Sequence, residues 1–449
     1  MSATLAIKKI VKRDGNVVDY DRERIATAIF KAAASIGGQD RVLAARLAED
    51  VEQALVASYG AGTMPTVEEI QDAVEAVLIK HGHVRTARAY IIYRHERAHA
   101  RAVRTQQPLE ATDNIPYKKI YEVLRWNMDH GCETIAGLNH IIAENRFAEL
   151  IRAGNQRYDD EIAAGAALVL QRMPAVRIVI VAGPSSSGKT TTTIKMSEHL
   201  QRAGLELVAL TVDNYFFDLE FHPRDEFGDY DYETPQALDL KLINEQLVRL
   251  LAGETVNTPH YDFKTGKRTQ EVHPMRLGPN QILLIDSLHG LYDDMTSAIP
   301  VEKKFRLYIE TLGQLRNESG DFMRWADNRL LRRMMRDSWH RNLQPLETLA
   351  HWHYVRRSEL RHIIPFIGNV DYVVNSALPY EFPILKARLF KFFPEAMTKF
   401  RDNAKRQDAF IRAKRVCEFL EPLTAVTDDS VVPRQALLRE FIGGSEYKY

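Results

Sequence analysis

The sequence predicts an α/β domain, a parallel sheet with helices on both faces, preceded by a small and mostly helical block. Three observations predict it. From Val176 onward the short apolar runs VRIVIVAG, ELVALTV, QILLID, FRLYI and VDYVVN alternate with helical stretches, the rhythm of a parallel sheet with helical crossovers. Just before them, YKKIYEVLRWNMDHG, GLNHIIAENRFAELIRAG and YDDEIAAGAALVLQRM keep a helical period from Tyr117 to Met173. The opening residues instead mix two short strand patterns with amphipathic helices. The expected division is 1–100 for the N-terminal block and 101–173 for a linker and helical region. Residues 174–449 then form the α/β domain with a C-terminal helical extension.

Element by element, IKKIVKRDGNVVDY reads as two strands about a turn at Asp14-Gly15-Asn16. Asp21 suits the N-cap of a helix that carries Ile25, Ile29 and Ala32 on one face. A second helix runs through Val42, Leu47, Val51 and Leu55 and stops at Gly60 and Gly62. Thr66 and Glu69 have the spacing of a capping box, opening a helix with Ile70, Val74 and Val77 on its stripe. A last helix carries Tyr90 and Tyr93, and the polar VRTQQPLEATDNIP at 103–116 is a linker.

Composition narrows the function classes. In 449 residues Lys plus Arg equals Asp plus Glu, 60 against 60. No global field therefore draws the chain to nucleic acid or anionic lipid, and neither partner is expected. Cys132 and Cys417 are the two cysteines, too few for a disulfide framework or metal cluster, and are expected as buried thiols. No apolar run reaches the ~18 residues of a membrane span. MSATLAIKKIVKRDG is charged early and lacks the apolar core of a signal peptide. The expected location is the cytoplasm.

Gly183–Thr190, GPSSSGKT, fits G-x-x-x-x-G-K-[ST] between a predicted strand and a predicted helix. Gly183 and Gly188 let the backbone curl so that the amides of Ser185, Ser186, Ser187 and their neighbours converge on phosphate oxygens. The helix entered at Thr190 and Thr191 adds its positive end. Lys189 reaches the outer phosphates, and the Thr190 hydroxyl can ligate Mg²⁺. The expected ligand is a nucleoside triphosphate, ATP, with Mg²⁺.

Two carboxylates fall on the same predicted sheet edge. Asp213, in LTVDNYFFD, stands where a hydroxyl's proton could be accepted, although strand-ending aspartates also commonly cap turns. Asp286, in LLIDSLHG, suits a Walker B-type role toward Mg²⁺. In DNRLLRRMMRDSWHR, Arg329, Arg332, Arg333 and Arg336 share one helix face beside the apolar Leu330, Leu331 and Met334. Arginine stripes are usually solvated. With Arg341, Arg356, Arg357 and Arg361 close behind and few acids near, the pattern reads as a closing lid that surrounds a transferring phosphoryl group.

These residues resemble a known family. Gly183–Thr190, DNYF, YETPQALD, PHYDFKTGKR and DNRLLRRMMRD are similar, in order and spacing, to the uridine kinase and phosphoribulokinase group of P-loop kinases, over about Val176–Asn375. The tail ALLREFIGGS resembles a bacterial uridine kinase-like branch with an extra N-terminal domain. The resemblance implies a P-loop NTPase fold and phosphoryl transfer from ATP to a small acceptor, a nucleoside hydroxyl. It implies Asp213 as base and Lys189, Arg333 and Arg336 as catalytic cations, with Arg341 on phosphate. Tyr215, Tyr261, Phe263 and Arg268 would lie about the acceptor, with Glu233 or Asp231 gripping its hydroxyls.

Three positions depart from that family. Its Walker B glutamate is Asp286 here, a lid arginine is Leu343, and the histidine that reads uracil aligns with Gly266. A kinase of a phosphorylated sugar or small acid therefore stays open, as does a catalytically weak nucleotide-sensing regulator. The N-terminal VKRDGNVVDYDRERIATAI and TARAYIIYRHER resemble an ATP-cone, the nucleotide-sensing domain of ribonucleotide reductases, over about 6–98. That implies a regulatory ATP or dATP on Lys12, Arg13 and Arg24, and a homo-oligomer. His351 and His353 lack a third metal ligand nearby, and Trp126 and Trp352 are expected in packing.

Overall fold

Strands form where β-branched residues run together. The computed structural model describes residues 7–12, 17–59, 64–91, 114–223, 234–340, 343–403 and 406–448. They hold β1 (Lys9–Val11), β2 (Val17–Asp19), β3 (Ile178–Ala182), β4 (Glu206–Thr211), β5 (Thr255–Asp262), β6 (Lys267–Arg276), β7 (Gln281–Ser287), β8 (Lys304–Glu310) and β9 (Tyr372–Asn375). Two compact units result, and residues 357–365 belong with the N-terminal one.

In the N-terminal unit β1 and β2 pair antiparallel, with Ile10 opposite Val18. Asp21 caps the helix Arg22–Ala34 by accepting from the Glu23 amide at 3.0 Å. Thr66 and Glu69 exchange reciprocal bonds of 3.1 and 2.7 Å, the predicted capping box of Val67–Lys80. Ile25, Ile29, Leu47, Val51, Leu55, Val74 and Val77 share one core. Val42 departs from expectation and is 74 % exposed. It precedes Leu47 by five residues, about 140° round the helix, and so falls off the stripe. Tyr90 is buried, whereas Tyr93, the turn at 14–16 and residues 103–113 lie outside the described residues.

The larger unit is built on a five-stranded sheet in the order β4-β7-β3-β8-β9, all parallel, as the alternating runs predict. β3 is the middle strand and fully buried, because crossover helices cover both its faces. The helices Ile135–Ala143 and Phe147–Gln171 share the sheet's core through Leu138, Ile151 and Ile162, and Trp126 of the helix Tyr117–Asp129 packs against it. Gly165 sets how closely the longest of them approaches, since a Cβ there would lie 3.2 Å from Met196 and Tyr372. β5 and β6 form a separate antiparallel hairpin with Tyr261 opposite Arg268. Cys132 and Cys417 are free and buried. Among the described residues no helix is long and apolar enough to cross a membrane.

Candidate functional site: a phosphate loop beside two carboxylates

Strand register assembles the site. Val181 pairs with Asp286 and Asp286 with Thr211, so β3, β7 and β4 end side by side. The loop Gly183–Thr190 leaves β3 there, and Asp213 follows β4 on the turn Val212–Tyr215.

The loop is shaped for an anion. Ser186 and Gly188 take left-handed conformations, with φ of 60° and 96°, which alternate the chain into a concave run of amides. A Cβ on Gly183 would meet the Ile309 carbonyl at 2.3 Å, so only glycine fits. The helix Lys189–Arg202 begins directly after Gly188. From the other side Arg329 Nη1 donates to the Ser185 carbonyl at 3.1 Å and Arg332 Nη1 to the Ser187 carbonyl at 3.3 Å. A trans peptide points its N–H opposite to its C=O. The Ser186 and Gly188 amides are thereby turned away from the arginines. The buried hydroxyls of Ser186 and Ser187 have no hydrogen-bond partner among the described residues, as donors awaiting phosphate oxygens would not. The cradle fits a phosphate group.

The arginine helix, Trp325–His340, corrects one expectation. Leu330, Leu331 and Met334 form its buried stripe as predicted, but Arg329 and Arg332 are buried too. Arg329 Nε pairs with Glu310 at 2.7 Å, and Arg332 binds Glu381 through two bonds of 2.6 and 3.0 Å. Cations committed to buried carboxylates and to the loop's carbonyls form a fixed wall and not a lid that closes. Arg333 and Arg336 are partly exposed, and Arg333 donates to the Ser185 hydroxyl at 2.8 Å. Arg341 lies outside the described residues.

Lys189 Nζ donates to the Pro184 carbonyl at 3.2 Å. The Thr190 hydroxyl stands near enough to the Asp286 carboxylate to act on its pKa. Burial pushes the Asp286 carboxyl up to about 6, and the Glu440 and Asp213 carboxylates add to the rise. Lys189 and Thr190 oppose it. Among the described residues no cluster of three or more His, Cys, Asp or Glu side chains could hold a metal. Thr190 with Asp286 fits Mg²⁺, which commonly takes one or two protein groups and completes its shell with phosphate oxygens and water.

The acceptor side is assembled only in part. Asp213 is exposed. Tyr261 is buried with its ring centroid 5.0 Å from that of Phe263, which is 67 % exposed, and Phe216 stands 5.6 Å from Tyr261. Tyr215 departs from expectation. It is fully buried and donates to Gln246 at 2.7 Å, so its ring belongs to the core. Arg268 departs too, because its guanidinium bonds the Phe216 and Tyr215 carbonyls at 2.7 and 2.6 Å and Asp239 at 3.0 Å. It braces the turn that carries Asp213. Gly266 sits at a φ of 69° in the hairpin turn, where a Cβ would press on Leu219 at 3.1 Å. An apolar side chain therefore fills that corner. Asp231 and Glu233 lie outside the described residues.

Sequence reasoning missed Glu440, buried against Thr191, although the tail ALLREFIGGS that carries it was a signal. In the N-terminal unit Lys12 directly follows β1 and is partly exposed, Arg24 pairs with Asp21 at 3.2 Å, and Arg13 lies outside the described residues. His353 bonds the Ala350 carbonyl, and Trp352 is core, as expected.

Comparison with known proteins bears on two parts of the chain. Residues 178–377 match the family described as "Phosphoribulokinase / Uridine kinase family", and residues 8–99 match "ATP cone domain". A uridine kinase of Deinococcus deserti is 27 % identical over 198 residues, covering 44 % of this chain and 86 % of that one. A uridine kinase of Chloroflexus aurantiacus is 30 % identical over 161 residues, covering 36 % and 67 %. The chain spans 66 % of the length of several further uridine kinases. Among solved structures, a possible uridine kinase from Bacillus stearothermophilus is 20 % identical, with 33 % and 79 % covered and a TM-score of 0.29.

Proposed function

Since the chain belongs to the phosphoribulokinase and uridine kinase family and carries an N-terminal ATP-cone, we propose that it transfers the terminal phosphoryl group of ATP to a nucleoside hydroxyl. Asp213 takes the proton of the acceptor hydroxyl, whose oxygen forms the new bond to phosphorus as the bond to ADP breaks. The loop amides and Lys189 hold the phosphates, and Arg333 and Arg336 face the charge that develops on the transferring group. Thr190 and Asp286 would hold Mg²⁺, which would supply neutralisation of phosphate charge. The N-terminal unit, through Lys12, Arg13 and Arg24, senses ATP or dATP. We take residues 1–100 as that sensing domain and 174–449 as the kinase.

The observation that supports this reading is the register of Val181, Asp286 and Thr211, which brings the loop, Asp286 and the turn bearing Asp213 to one edge. Asp213→Asn tests it. Turnover is expected to fall about 10³-fold, within the range of general base catalysis, while ATP affinity stays within about twofold by fluorescence titration. Unchanged turnover would remove Asp213 from the chemistry. A second reading, a kinase of a phosphorylated sugar or small acid, draws on Gly266 and Leu219, which offer no polar group to a base edge. It is weakened because Arg329 and Arg332 are committed to Glu310 and Glu381. ADP release with nucleosides against sugar phosphates as acceptors separates the two.

A further inference from the structure

The C-terminal segment reaches the phosphate loop. A Cβ on Gly188 would fall 2.4 Å from Leu437 Cδ1, so the segment covers the loop's last glycine. Three residues on, in the single helical turn Arg439–Ile442, Glu440 directs its carboxylate at the start of the helix that follows the loop. One oxygen accepts both the Thr191 hydroxyl, at 2.6 Å, and the Thr191 amide, at 3.3 Å. Glu440 is 4 % exposed and Thr191 fully buried. The Thr191 hydroxyl and amide are thus both donors to the Glu440 carboxylate.

Thr191 is the third residue of its helix, and its amide is one of the first-turn N–H groups that the helix itself leaves unused. A P-loop offers such donors to the phosphates of a nucleotide. The neighbouring hydroxyls of Ser186 and Ser187 are buried with no hydrogen-bond partner among the described residues, so Glu440 does not satisfy the donors of the whole loop. A triphosphate seated in the loop and the Glu440 carboxylate therefore call on the same donors. They also repel each other at short range in a buried setting.

We propose that Glu440 takes up donors of the phosphate site, so that the C-terminal turn and a nucleoside triphosphate exclude one another at Thr191. This rests on the loop being the triphosphate site. A simple helix cap would make the same two bonds but would not compete with nucleotide.

Hydrogen exchange on the full chain, titrated with ATP and Mg²⁺, tests it, because peptides from the loop (183–195) and the tail (436–444) report separately from the N-terminal unit. ATP is expected to protect the loop and to speed exchange in the tail. Glu440→Gln is expected to reach half-protection of the loop at about tenfold less ATP, the worth of a hydrogen bond to a charged group. A variant needing as much ATP as the parent, or more, would overturn the proposal. So would a parent tail that becomes slower to exchange with ATP, and that measurement stands even if the variant fails to fold. Lys189→Ala separates the premise. If ATP protects the parent loop and Lys189→Ala abolishes this, the triphosphate site stands whatever Glu440 does. If ATP leaves the parent loop unprotected, site and proposal fall together.

Discussion

The phosphate side and the acceptor side of this sheet edge are made of different materials. On the phosphate side the binding surface is backbone, bent by left-handed Ser186 and Gly188 and held from behind by the buried pairs Arg329–Glu310 and Arg332–Glu381. On the acceptor side it is a hairpin bearing aromatic rings, with Phe263 67 % exposed at its turn. Backbone amides recognise any phosphate, whereas rings and their spacing discriminate among acceptors. On the proposed function, the chemistry is set on one side and the choice of acceptor on the other.

The sharpest way to break this contrast is to remove the charge behind the loop. Arg332→Met leaves Glu381 buried without its cation and is expected to cost about 3–5 kcal/mol of stability, read by chemical denaturation. Arg332→Met with Glu381→Met is expected to regain much of the loss, because a buried pair is dearer to break than to replace by apolar groups. A loss below about 1 kcal/mol in the single variant, the scale of an exposed pair, would mean that the loop does not depend on this wall.

A smaller effect sharpens the other side. Phe263→Ala is expected to raise the KM for a nucleoside acceptor about tenfold, since stacking of a base on an aromatic ring is worth about 1–3 kcal/mol. ATP affinity should not move. Equal weakening of ATP and acceptor would show that the two sides are not separable, and an unchanged acceptor KM would take Phe263 out of the pocket.

What the sequence revealed follows the same division. The loop, the capping box at Thr66 and Glu69, and the apolar runs of the sheet are legible because each is set by residues adjacent in the chain. The fate of the arginines is not. Arg329 and Arg332 look like Arg333 and Arg336 on a helix face, and only partners 19 and 49 residues away decide which are buried. Glu440 is further removed, 249 residues from Thr191, and the tail ALLREFIGGS, though it marks the family, does not say which side chain its carboxylate meets. Asp213 and Tyr215 stand two apart, yet the 3₁₀ turn Val212–Tyr215 exposes the first and buries the second.

That last pair supplies the smallest and most discriminating measurement. If Tyr215 belongs to the core, Tyr215→Phe removes a buried donor from Gln246 Oε1, while Gln246 Nε2 keeps its bond to the Asn257 carbonyl at 2.9 Å. The expected cost is about 1 kcal/mol of stability, with acceptor KM and turnover unchanged. Were the ring instead in contact with the acceptor, the outcome would reverse, with stability kept and acceptor KM raised. Because Arg268 holds the Tyr215 carbonyl at 2.6 Å through the backbone, the substitution leaves the brace on the Asp213 turn in place. It therefore reports on the side chain alone.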